Sequence, residues 1–171
     1  MKLGFAVLVL ISAGLQLRAD TGPTVLAKGL LSYQAPPGWL LRDVPTSPYP
    51  IAIAPVLVGI PANINIEIDS KAQPMDDYIT VTLANLKKMP QVKDVSVVSQ
   101  VPFKTASGLD GVRVVVTDIV PQLNNARVEQ VFYYFEGGGD KKLVITASCA
   151  ASEAARNEAL FDTSVKTLSL E

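Results

Sequence analysis

No histidine occurs among the 171 residues, and Cys149 is the single cysteine. The first absence excludes a Ser-His or Cys-His catalytic pair, His-ligated zinc and a pH switch built on imidazole. The second excludes an internal disulfide and a cysteine-built metal cluster. The core has to hold by packing alone. Charge is balanced as well as sparse, with 15 basic and 16 acidic residues leaving a formal net charge of −1. Phosphate recognition needs clustered Lys and Arg, and no basic stripe is present, so nucleic acid is excluded as a partner. An anionic lipid surface is excluded on the same ground. Neither a G-x-S-x-G nor an S-x-x-K nucleophile pattern occurs. Gly137-Gly138-Gly139 precedes Asp140 and joins two strands, so it is not a phosphate loop.

What the sequence does hold is apolar residues, 49% of the chain. That is enough for a sizeable core and too much for a disordered segment. The length favours one domain. Met1–Asp20 puts Lys2 before an apolar run from Leu3 to Leu15, with small residues following, which is the three-part pattern of a secretory signal. As a helix, Leu3 to Leu17 covers about 22 Å, short of a hydrocarbon core of about 30 Å. Cleavage, and no stable membrane insertion after it, is therefore the expectation. Ala19 best fits the residue before the cut, and Gly14, with Ser12 at minus three, is the alternative. A chain cut after Ala19 keeps 13 basic and 16 acidic residues, a net charge of −3. The expected organisation is a signal segment over 1–19, a lead-in over 20–29 and a single domain over 30–171, working in the periplasm or outside the cell.

Periodicity places the elements of that domain. Leu31, Tyr33 and Ala35 alternate with polar residues as a first strand, which Pro36-Pro37-Gly38 stops. Ile51–Ala54 is a short extended piece among prolines. In Ala62–Asp69, Ile64, Ile66 and Ile68 face one way and Asn63, Asn65, Glu67 and Asp69 the other. Met75, Ile79, Leu83 and Leu86 recur at helical spacing, widened by Tyr78 and Thr82, between Pro74 and Pro90. Asp76 and Asp77 at the start of that helix and Lys87 and Lys88 at its end complement its dipole. Asp94–Gln100, Pro102–Thr105 and Val112–Val120 read as strands. Arg127–Glu136 and Lys141–Ala150 read as a hairpin around the three glycines. A final helix starts near Ser152 as its N-cap, with Ala154, Phe161, Val165 and Leu168 on one face. Successive strands favour antiparallel pairing and two amphipathic helices must bury their stripes, so the expected fold is α+β: an antiparallel sheet flanked by two main helices.

Candidate chemistry is thin. Asn65, Glu67 and Asp69 recur about 7 Å apart on one strand face, a spacing that suits oxygen ligation of a hard cation. Alternation opposite three isoleucines explains them equally as a solvated outer face. Asp76 and Asp77 point about 100° apart on a helix and cannot converge on a substrate. Cys149 shares a strand face with Leu143, Ile145 and Ala147, which makes it a buried, inert thiol. Trp39, the only tryptophan, stands before a Pro-rich stretch as either a recognition surface or a core anchor. The expected partner or ligand surface is thus Trp39, Asn65, Glu67 and Asp69, with no catalytic residue, metal or cofactor.

Tyr33-Gln34-Ala35-Pro36-Pro37-Gly38-Trp39 resembles the aromatic-then-P-x-G-W opening of the PsbP-like superfamily. Asn63-Ile64-Asn65-Ile66, Asp76-Asp77-Tyr78, Ser107-Gly108-Leu109-Asp110-Gly111 and Phe161-Asp162-Thr163-Ser164-Val165 follow in that family's order. The likeness runs from Leu30 to Leu170 and is nearest to the DcrB-related bacterial envelope proteins. It implies an antiparallel sheet with flanking helices and a non-enzymatic accessory role on larger assemblies, with an envelope protein as partner. It transfers no catalytic residue. A small-ligand carrier with a pocket between helix and sheet is the alternative expectation, and a hydrolase using carboxylates alone is the third.

Overall fold

The computed structural model describes residues 24–27, 30–45, 47–55 and 59–170. The signal segment expected over 1–19, with its cleavage at Gly14 or Ala19, lies outside them. The strands are β1 (Thr24–Ala27), β2 (Leu31–Tyr33), β3 (Leu40–Arg42), β4 (Ile51–Ile53) and β5 (Asn63–Ser70). Helix α1 (Met75–Leu86) precedes β6 (Lys93–Lys104), β7 (Asp110–Val120), β8 (Ala126–Glu136) and β9 (Lys141–Ala150). Helix α2 (Ala154–Lys166) and β10 (Ser169–Leu170) close the order.

Seven strands form one antiparallel sheet in the order β3-β4-β5-β9-β8-β7-β6. Helix α1 carries the chain from inside the sheet to its far edge, where β6 starts a meander that returns through β7 and β8 to seat β9 against β5. A three-stranded sheet, β1-β2-β10, joins the two ends of the domain. The α+β arrangement with two flanking helices is the one periodicity predicts. Strand β1 lies within the segment expected as a lead-in.

Each helix covers its own face of the large sheet. On one face Phe161, Val165 and Leu168, all fully buried, pack with Ile64, Ile66, Val131, Tyr133, Phe135 and Ile145. On the other, Tyr78, Ile79 and Leu86 of α1 pack with Val114, Val116, Phe132, Tyr134 and Val144. A large apolar side chain gains about 1.5–3 kcal/mol from such burial. Strands β7, β8 and β9, apolar on both faces, are the sheet's interior for that reason.

Two local expectations are corrected, and one strand is added. The two strands expected either side of Val101 are one strand, β6, running through Pro102. Proline survives there because β6 is an edge, where a missing N–H need not cost a ladder bond. Ser152 is not the N-cap of α2: residues 151–153 form a 3-10 turn, Glu153 occupies the cap position, and no side chain caps the helix. Strand β3, Leu40–Arg42, was unmarked in the sequence because three residues carry no period.

Candidate functional site

Strand β5 is the third strand of the sheet, so both of its edges are paired, one to β4 and the other to β9. Ile64 and Ile66 are buried on the α2 side, and Asn65, Glu67 and Asp69 turn to the α1 side. They are half-buried there, so the freely solvated outer face is corrected: the side of β5 opposite the isoleucines lies on the face that α1 occupies. Across the register, Glu67 is level with Val144 and Tyr134, and Asp69 with Lys142. Tyr78 of α1 lies edge-on to Tyr134 with ring centroids 6.1 Å apart. Burial pushes the Glu67 carboxyl up to about 7, and the Asp69 charge adds to it. Burial also lifts the Tyr78 hydroxyl to about 12, with Asp69 and Glu67 contributing. The Tyr134 hydroxyl and Asn65 Oδ1 are buried without a hydrogen-bond partner. The acids on this face are Glu67 and Asp69, with Glu136 further along it tied to Lys142 at 2.7 Å. Among the described residues no group of three or more such side chains is placed to hold a metal.

Trp39 is on the opposite side. It is 7% exposed and meets Phe161 edge-on at 6.1 Å, so it anchors the core beneath α2 and is not a recognition surface. The expected surface of Trp39, Asn65, Glu67 and Asp69 is therefore two separate places, one on each face of the sheet. Cys149 is fully buried, with burial first and then the Glu129 and Glu153 charges pushing its thiol up to about 12. Asp76 and Asp77 sit in the first turn of α1 and serve its dipole.

The surface that periodicity missed is the opposite edge. Strand β6 is the last strand of the sheet and is exposed over most of its 12 residues. Val97, Val98 and Val101 are 40%, 61% and 43% exposed. Register shifts between Lys93 and Ser96 and between Val97 and Ser99 break its alternation, so no apolar period was legible. Lysines at both ends and a proline inside were the available signals, since these are devices by which edge strands avoid indiscriminate pairing.

Beside β6 an open groove of about 480 Å³ separates the strand from α2. Phe103, 9% exposed, lies in its wall and packs edge-on against Tyr133 at 4.9 Å. Arg113 of β7 donates from Nε to Asp162 Oδ1 at 2.9 Å and from a terminal nitrogen to Glu158. The Tyr133 hydroxyl donates to the same Asp162 oxygen at 2.6 Å. Burial alone would lower the Arg113 guanidinium, and its bonds to Glu158 and Asp162 more than reverse that. Lys104 and Lys166 stand at the rim. The Ala106 amide bonds the Lys166 carbonyl at 2.7 Å, fixing the end of α2 to the turn after β6.

The sequence matches no family model and no curated protein. Solved structures do match. Cyanobacterial PsbP (CyanoP) from Synechocystis superposes with a TM-score of 0.52 at 18% identity, covering 95% of this chain and 99% of that one. LpqN, involved in cell envelope biogenesis of Mycobacterium tuberculosis, gives 0.56 at 14% identity, covering 88% and 86%. The Ran-binding protein Mog1p of Saccharomyces cerevisiae gives 0.59 at 12% identity, covering 90% and 96%. At such identities the likeness is one of architecture. The chain has the PsbP-like fold.

Proposed function

We propose that this protein is an exported, non-enzymatic accessory module of the cell envelope that works by binding another protein. The apolar edge of β6 carries the reading: Val97, Val98 and Val101 stand in solvent along the last strand of the sheet, Val101 beside the groove and Val97, level with Val116, on the opposite face, where an isolated domain gains nothing from them. The signal pattern of the first 19 residues supports export. The envelope role of LpqN and the Ran binding of Mog1p support an accessory, protein-binding use of this fold, and the likeness to DcrB-related envelope proteins belongs to the same proposal. Glu67, Cys149 and Asp76 lie in three separate settings, and the two acids that do meet, Glu158 and Asp162, are tied to Arg113. A small-ligand carrier needs an enclosed, mostly apolar cavity, whereas the groove beside β6 is open and carries five charged side chains.

A photo-reactive residue placed at Val98 in the living cell is expected to give a discrete adduct with an envelope protein. Val81, 48% exposed on α1, is the control position. Absence of any adduct from Val98, or identical adducts from Val81, would refute the proposal.

A further inference from the structure

The geometry points to the way that partner is held: one extended segment of it adds to β6 as a further strand, with apolar residues at its centre and acidic residues at its ends. This rests on the protein-binding reading above. An edge strand presents unpaired backbone N–H and C=O groups along its outer side, and an extended peptide satisfies them. The register shifts and Pro102 interrupt that row without ending it, so the added segment follows the 12 residues of β6 and pairs with it in short stretches. Val101 and Phe103 pair with Arg113 and Gly111, which puts both on the α2 side. A partner side chain on that side, level with Val101, leans over the groove. Its apolar stem meets Val101 and Phe103 there.

Charge selects the occupant. Strand β6 begins with Lys93, followed by Asp94 whose side chain alternates away from it, and ends with Lys104, and Lys166 lies across the groove from Lys104. A second copy pairing antiparallel about the strand's centre would set Lys93 against Lys104 at both ends. Parallel pairing would set each lysine against its own copy. Like charges directly opposite destabilise a strand pair, so β6 disfavours a second copy in both of these registers. A segment with Asp or Glu at its ends reverses the sign of both contacts. Asp110 already meets Lys104 at 2.9 Å, but the two are 63% and 82% exposed and the pair is easily exchanged.

The test uses the purified protein and three labelled synthetic peptides: alternating Val and Thr with Asp at both ends, the same centre with Lys ends, and the Asp-ended peptide N-methylated at alternate amides. Fluorescence anisotropy is read at low and high salt, and backbone amide shifts locate the site. The Asp-ended peptide is expected to bind with shifts confined to β6 and the groove. The Lys-ended peptide is expected to bind about tenfold more weakly, a difference that high salt shrinks. Lys93→Glu together with Lys104→Glu, both at exposed positions, should invert the preference while leaving circular dichroism unchanged. Loss of binding on N-methylation supports backbone pairing. Equal binding of both end charges, undiminished binding of the methylated peptide, or shifts centred on Glu67 and Asp69 would overturn strand addition. So would a dimer in sedimentation that Val98→Lys dissolves. An adduct from Val98 alongside failed peptide binding sinks the strand mode and leaves protein binding standing; no adduct and no peptide binding sinks both.

Discussion

Glu67 sits where a charge is costly: burial and the nearby Asp69 lift its carboxyl from 4.5 to about 7. Its folded-state value is above its unfolded one, so protonation favours the folded state. Its stabilising contribution is complete below about 4.5 and is lost as pH rises through about 7. Asp118 is raised by burial against the opposing bond from Gln130, and Glu129 by burial and the Glu158 charge, so both add in the same direction. Glu67→Gln is expected to stabilise the protein by about 1–2 kcal/mol at pH 8, after allowance for solvent screening. The gain should disappear below pH 4.5. Thermal unfolding of both proteins across that range measures it, and a gain independent of pH would show that the carboxyl is not the cause. The alternation Asn63-Asn65-Glu67-Asp69 was legible and correctly split β5 into two faces. That α1 sits over the polar face was not, because a strand's period says which side is apolar and nothing about what lies over the other.

Among the elements, α2 and β6 show how differently an amphipathic pattern survives. In α2 the 3.6 period put Phe161 and Val165 inward as expected, and the structure buries Asn157 and Ser164 beside them. Ser164 donates to the Gln34 carbonyl and Asn157 to the Glu153 carbonyl, so their burial is satisfied. Phe161→Ala removes the ring that Trp39 packs on and is expected to cost about 3–5 kcal/mol. Urea unfolding followed by fluorescence of the single tryptophan should show a lower midpoint at unchanged slope; a loss under about 1 kcal/mol would mean that the neighbours close the cavity. In β6 two register shifts erase the period of two, so the sequence reads as two strands, one on either side of Val101. The groove next to it was out of reach for a different reason. Arg113 is 45 residues from Glu158 and 49 from Asp162 in the chain and meets them only because α2 lies across β7.

The whole molecule is closed by contacts distant in sequence. Strand β9 pairs with β5, α1 delivers β6 to the far edge, and β10 returns to β2. Cys149, fully buried on β9, reports on that cooperative unit. Its thiol, pushed up to about 12 first by burial, is expected to react with a disulfide reagent only through global opening, about a thousandfold more slowly in buffer than in denaturant. Prompt labelling of the native protein would place the opening in the β8–β9 hairpin alone. By itself the amino-acid sequence determined that these 171 residues supply no imidazole and no internal disulfide, that two helices and a run of antiparallel strands form, and that the architecture is α+β. Those properties depend on residue type and on spacing within an element. Only the tertiary structure decided which strand ends the sheet, that both of its faces are covered, and that Trp39 and Glu67 stand on opposite sides. Such facts depend on pairing between distant segments, where register and strand order are set by the packing of the entire core.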